Sequence, residues 1–103
     1  MLDLQYLKTF MVVVTTMSFS RAADELHYSQ STVTHHIKWL ERELGVRLLH
    51  RFRFAKTIAL TDAGARIYNY AARLLALAEE AEAAVQPSRQ DKGRKPGATD
   101  KEV

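Results

Sequence analysis

Apolar positions recur along this chain in periods that change from helical to alternating and back to helical. After Asp3, a natural helix cap, Leu4, Leu7, Phe10 or Met11, and Val14 fall on one stripe, with Gln5, Lys8 and Thr15 lying off it. This predicts a first helix to about Thr16, whose Val12-Val13-Val14-Thr15-Thr16 end has weak intrinsic propensity and must be held by packing. Ser20 is the expected N-cap of a short second helix, Arg21 to Leu26. In that helix Ala22 and Ala23 allow close crossing, and Phe19 and Leu26 supply core contacts. His27 and Tyr28 form a turn, with the Tyr28 ring expected to point inward, and Ser29 caps a third helix that Gly45 ends.

The third helix has two contrasting faces. Val33, Ile37, Leu40 and Leu44 share one side of a 3.6-residue period, while Gln30, Ser31, Thr34, His35, Lys38 and Arg42 lie opposite, with no carboxylate before Glu41. A helix that buries one side and presents hydrogen-bond donors on the other suits the major groove of DNA. Ser29–Leu44 is therefore the candidate recognition helix.

Between residues 46 and 61 the period shortens. Val46, Leu48 and His50 alternate with Arg47, Leu49 and Arg51, and Ile58 and Leu60 alternate with Thr57, Ala59 and Thr61. Two short strands with a basic tip, Phe52 to Lys56, read as a β-hairpin wing that can lay Arg53 or Lys56 along a DNA backbone or into a minor groove. Thr61 then caps a long helix, which begins at Asp62 and runs to about Gln86, where Pro87 stops it. Within it Ile67, Ala71, Leu74, Ala78, Ala81 and Val85 follow the spacing of a coiled-coil seam. Its first half is expected to pack on the first helix and its second half to pair with another copy. The result is a mainly α chain in three parts: a DNA-binding winged helix-turn-helix (1–61), a linker and dimerisation helix (62–86) and a disordered polar tail (87–103).

Composition narrows this picture modestly. At 103 residues the chain has room for one core, and its 47% apolar and 26% charged content is that of a soluble fold without a membrane span or signal peptide. The absence of cysteine removes disulfides and thiolate metal sites and is compatible with a cytoplasmic location. The net charge of +3 is small, but Arg47, Arg51, Arg53 and Lys56 lie in a window without a single acid. Such a run can be no more than a solvated face; its place beside the candidate recognition helix gives it a phosphate-binding role.

Two other classes of function compete. His27, His35, His36 and His50 could signal metal or acid–base chemistry, but the adjacent His35 and His36 diverge by about 100° on a helix, and no metal-ligand spacing, paired carboxylates or phosphate loop accompanies them. No enzyme, metal or cofactor is therefore expected. A winged-helix module that uses the long helix for protein contacts is the alternative, and Trp39 is the residue that fits it.

The ordered positions Leu4, Leu7, Phe10, Ser18-Phe19, Arg21-Ala22-Ala23, Leu26, Ser29-Gln30, Val33-Thr34, Ile37, Leu40-Glu41, Leu44-Gly45, Leu48, Arg51, Leu60-Thr61 and Ala63-Gly64 resemble the N-terminal region of LysR-type transcriptional regulators over three quarters of the chain. The resemblance implies a winged helix-turn-helix joined to a linker helix, promoter DNA as partner, and assembly as a dimer or tetramer. It places Gln30, Thr34 and His35 at base edges, Ser31 and Thr32 (with the Ser29 cap) where the helix start meets DNA, and Lys38 where the helix leaves the groove. It sets Ser20 and Arg21 near phosphates and Lys56 in the place of the family's wing-tip arginine; the basic run itself adds Arg51, Arg53 and Lys56 as expected backbone contacts. Ser31 replaces a frequent proline and His35 a frequent arginine, and the wing is about two residues longer than usual. Family members carry a larger C-terminal effector-binding domain, which these residues do not include, so no effector site is assigned to them.

Overall fold

The computed structural model describes residues 1–52 and 57–87, the side chain of Phe52 apart. Their order is α1 (Leu4–Thr16), α2 (Phe19–Leu26), α3 (Gln30–Leu44), β1 (Leu49–Phe52), β2 (Thr57–Leu60) and α4 (Asp62–Val85). The mainly α winged helix-turn-helix read from the periodicity is the observed fold.

Each helix starts on a side-chain oxygen that takes up an otherwise unpaired backbone donor. Asp3 accepts from Tyr6 N–H at 3.2 Å, Ser29 from Thr32 N–H at 3.1 Å and Thr61 from Gly64 N–H at 2.9 Å. The second helix differs from expectation. Its cap is Ser18, whose Oγ accepts from Arg21 N–H at 3.1 Å, and Ala22 N–H closes onto the Ser18 carbonyl at 3.0 Å, so Phe19 and Ser20 are already helical. The helices α1, α2 and α3 end in left-handed residues, Met17 (φ 52°), His27 (φ 60°) and Gly45 (φ 74°).

The core joins Leu7, Phe10 and Val13 of α1 to Ala22 and Ala23 of α2, to Val33, Ile37 and Leu40 of α3, and to Leu48, Leu49 and Ala71. On α1 the buried stripe tightens to a three-residue step, which buries Val13 in place of Val14 and leaves Leu4 exposed. Leu44 and Tyr28 are half-buried.

The strands pair antiparallel with Leu49 opposite Leu60 and Arg51 opposite Ile58. The expected alternation fails just before them: Val46 is exposed, and Leu48 and Leu49 are both buried. The cause is Glu41. Its carboxylate accepts from Leu48 N–H at 2.8 Å and Leu49 N–H at 3.3 Å, while Thr61 N–H donates to the Leu48 carbonyl at 3.1 Å, and this bends the chain before the ladder begins. The wing-tip cations Arg53 and Lys56 lie outside the described residues, as does the tail beyond residue 87.

The start of α4 is locked onto the wing. Thr61 Oγ1 donates to the Arg47 carbonyl at 2.6 Å, and Gly64 sits so close to the Leu48 carbonyl that any β-carbon would overlap it. Ala63, Ile67, Tyr68 and Ala71 then pack on the core, and α4 continues past it; at about 1.5 Å per residue the helix is roughly 36 Å long.

Candidate nucleic-acid interface

The α2–turn–α3 unit is set by its two ends. At the start of α2, Ser18 Oγ lies 3.2 Å from Ser20 Oγ; at the start of α3, Ser29 Oγ lies 3.1 Å from Ser31 Oγ and donates to Thr32 Oγ1 at 2.9 Å. Both N-termini thus carry the same cap-plus-two serine pair. On α3 the first intrahelical bond runs from Val33 N–H to the Ser29 carbonyl, so the Gln30 and Ser31 N–H groups stand ahead of the ladder, at the positive end of the helix dipole.

Because Val33, Ile37 and Leu40 are buried, the rotation of α3 about its own axis is fixed. Gln30, Ser31, His35, Lys38 and Arg42 are exposed and Thr34 is half-buried, so the expected row faces outward as one surface. Ser20, Arg21 and Ser29 are also exposed, and Thr32 is half-buried within the hydroxyl cluster.

Next to this row lies an open cleft of about 490 Å³ between the C-terminal half of α3 and the base of the wing. Ile37, Val46 and Leu49 contribute apolar lining, and Lys38, Arg42, Arg47 and Arg51 bring four cations to it. Among the described residues its one carboxylate is Glu41, which accepts from the Leu48 and Leu49 N–H groups and lies 3.6 Å from Arg47 Nε. Arg51 is placed by the second helix: its guanidinium carbon is 4.1 Å from the centroid of the Phe19 ring. Phe19 sits between Ser18 and Ser20, so a wing cation is held at the start of α2.

The sequence matches the description "Bacterial regulatory helix-turn-helix protein, lysR family" over residues 4–65, more than half of its length. The chain belongs to the lysR family. It is 39% identical over 100 residues to the uncharacterized HTH-type transcriptional regulator YwqM of Bacillus subtilis, a match that covers 96% of this chain and 33% of that protein. The fold superposes on CbnR, a LysR family transcriptional regulator, with a TM-score of 0.78 and 34% identity, covering 84% of this chain and 29% of CbnR. It superposes on the BenM DBD from a complex with benA site 1 DNA with a TM-score of 0.75 and 34% identity, covering 81% of this chain and 94% of that one. This lysR-family chain spans about a third of the length of the curated relative YwqM.

His36 and Trp39 are accounted for inside the lysR-family fold, while His27, His35 and His50 are exposed. His36 is buried, stacks on Tyr6 with centroids 4.0 Å apart, and has Nδ1 2.8 Å from Thr9 Oγ1. Burial pushes its pKa below the ordinary 6.5, and the neighbouring His35 pushes the same way, against a smaller opposing pull from Asp3. His36 is thus a packed core histidine joining α1 to α3. Trp39 is half-buried with its ring edge-on to Tyr6 at 5.0 Å, so it serves the α1–α3 contact. Among the described residues no group of three histidine, cysteine or acidic side chains is placed to hold a metal ion, and no helix is long and apolar enough to cross a membrane.

The seam on α4 divides in two. Ala71 is fully buried in the chain's own core and Ile67 packs against it, whereas Leu74 is 39% exposed, Val85 is 81% exposed, Ala78 is half-buried and Ala81 is exposed. Tyr70 and Leu77 widen this outer face, 55% and 61% exposed. Periodicity assigns no role to Glu41, and it puts Arg42 on the donor row and Arg47 in the basic window without naming a contact for either. Arg42 stands four residues after Lys38 on the same row, which is the signal that can place it; Glu41 gives no local sign of bonding backbone seven and eight residues on.

Proposed function

We propose that this chain binds double-stranded promoter DNA sequence-specifically and regulates transcription as a dimer or higher oligomer. Residues 1–61 act as the DNA-binding unit and 62–86 as the linker and dimerisation helix. The observation that carries the reading is the exposed row Gln30 to Lys38 on a helix whose other face is core, in a lysR-family fold that superposes on a domain whose structure contains DNA. With α3 in the major groove, Gln30, Ser31, Thr34 and His35 meet base edges; a well-formed bidentate contact discriminates by about 1–3 kcal/mol. Ser20, Arg21, Ser29, Thr32, Lys38 and Arg51 face the sugar–phosphate backbone, Ser29 and Thr32 by ordering the donors at the start of α3, and Arg53 and Lys56 extend that contact from the wing. Leu74, Ala78, Ala81 and Val85 supply the interface between copies, continuing the seam begun by Ile67 and Ala71.

Selection of bound sequences from a random duplex pool tests this directly. The expected result is an enriched motif with two half-sites. Gln30→Ala should relax the preference at one position of each half-site, and Lys38→Ala should weaken binding to every duplex alike. If both variants change binding to selected and random DNA by one common factor, α3 does not read sequence.

A further inference from the structure

The cleft beside α3 gathers cations from the helix, from the segment after it and from β1. Lys38 belongs to both: it follows Thr34 by four residues on the exposed row and lines the cleft together with Arg42, Arg47 and Arg51. The cleft is therefore a continuation of the row toward the wing, on the same side of the molecule. Its apolar lining is Ile37, Val46 and Leu49, and its one carboxylate among the described residues is held by two backbone N–H groups and faces Arg47. An open, cation-rimmed cleft with Val46 exposed beside the cations fits a polymer that alternates charged and apolar surface. The sugar–phosphate backbone has that character, with phosphates for the guanidiniums and deoxyribose edges for Val46.

We propose that this cleft seats the DNA backbone bordering the groove entered by α3, with Arg42 and Arg47 as two added backbone-positioning residues. The inference rests on the reading of α3 as the groove helix. Arg42 extends the footprint along α3 beyond Lys38, Arg47 lines the cleft from the segment after α3, and Arg51, held over Phe19, lines it from β1. An acidic protein segment is the competing occupant. The cleft's continuity with the Gln30–Lys38 row favours DNA, because Lys38 belongs to both and a duplex on the row lies next to the cleft.

The test measures binding of the full 103-residue chain to a 40-base-pair random-sequence duplex by fluorescence anisotropy across a salt series, for wild type, Lys38→Gln, Arg42→Gln, Arg47→Gln and the double arginine variant. Removing a single cation–phosphate pairing lowers the slope of log K against log salt by about 0.9. Arg42→Gln and Arg47→Gln should each reduce it by that amount, the double variant by about twice as much, and Arg42→Lys should restore the wild-type slope. Circular dichroism of each variant confirms the helical fold. A wild type that binds no duplex overturns the underlying reading and this inference together. A Lys38→Gln slope that falls while both arginine variants keep the wild-type slope overturns this inference alone. So does a double variant that loses binding to labelled poly-glutamate and keeps its DNA affinity, which assigns the cleft to a protein partner.

Discussion

The Arg51 guanidinium rests 4.1 Å above the ring of Phe19, so the first wing strand and the start of α2 meet at a cation–π contact. This contact does two jobs. It fixes the direction of a cation on a strand that pairs, among the described residues, with β2 alone, and it holds that cation on Phe19, the residue between Ser18 and Ser20. An exposed contact of this kind contributes about 0.5–1 kcal/mol. Phe19→Leu keeps apolar bulk and removes the ring. It should weaken binding to all duplexes by about 2–5-fold with little effect on sequence preference, since about 1.4 kcal/mol corresponds to tenfold. Anisotropy titrations with selected and random duplexes check both parts; a change confined to the selected duplex would place Arg51 at a base edge.

Two glycines make opposite kinds of demand on the fold. At Gly64 a β-carbon would overlap the Leu48 carbonyl oxygen, which already accepts from Thr61 N–H, so Gly64→Ala must push α4 off the wing. At Gly45 nothing lies near an added β-carbon, and the cost comes from φ of 74° alone. Gly45→Ala should therefore lose about 1–2 kcal/mol of stability, and Gly64→Ala about 1–3 kcal/mol or more through forced backbone movement. Urea denaturation followed by circular dichroism separates them, because only Gly64→Ala should also alter the wing and with it the affinity for DNA.

Glu41 is the hinge between α3 and the wing, and its removal leaves two backbone donors without their acceptor. An orphaned buried donor costs about 1–3 kcal/mol. Glu41→Ala should destabilise the chain by at least that amount. Glu41→Gln keeps an acceptor oxygen and should recover much of the loss. Equal denaturation midpoints for the two variants would show that the carboxylate does not shape the bend.

These residues also show how far sequence reaches in this fold. Caps at Asp3, Ser29 and Thr61 and the end at Gly45 are local chemistry, and the structure has them where periodicity puts them. The α2 cap lies two residues earlier than periodicity puts it, because Ser18 and Ser20 are equally good caps flanking Phe19, and only tertiary contact makes Phe19 helical. The double burial of Leu48 and Leu49 depends on a carboxylate seven and eight residues back, and the burial of His36 on Thr9, 27 residues earlier in the chain. A one-dimensional pattern does not encode partners at such separations. The exposed row on α3 is legible because it is the complement of a strictly periodic core stripe. The cleft is not, since it exists only once the wing folds back beside α3.

His36 makes the α1–α3 contact sensitive to acid. Burial lowers its pKa from 6.5, so the unfolded chain binds its proton more readily than the folded one does. The neutral imidazole's contribution to stability is therefore fully present above about pH 6.5 and is lost as the pH falls below that value. The groups facing it are Tyr6, Thr9 and Asp3 from α1 and its cap, Tyr28 from the turn and His35 from α3. Thermal melts from pH 8 to 5 should show a declining midpoint in wild type. The decline should be shallower in His36→Phe, which keeps the stack on Tyr6 without a titrating group. Parallel declines would assign the acid sensitivity to other groups.

The proposed pairing of copies through the outer face of α4 makes a prediction about the assembly state. Beyond Ala71 the helix leaves the core, and Leu74, Leu77 and Val85 remain in solvent at 39%, 61% and 81% exposure. Fully burying one such side chain is worth about 1.5–3 kcal/mol, so pairing this face with a second copy offsets the cost of association with few residues. The seam spacing continues through Ala78 and Ala81, whose small side chains let two helices approach closely. Sedimentation equilibrium of wild type should give twice the 11.7 kDa chain mass. Leu74→Glu and Ala81→Glu should each return the chain mass itself, because a carboxylate in the seam would be buried without a partner. Ala81 lies outside the core, so its variant changes association without touching the fold. If both variants sediment as wild type does, the copies meet on another surface, and the spacing of half-sites on DNA must then come from a different geometry.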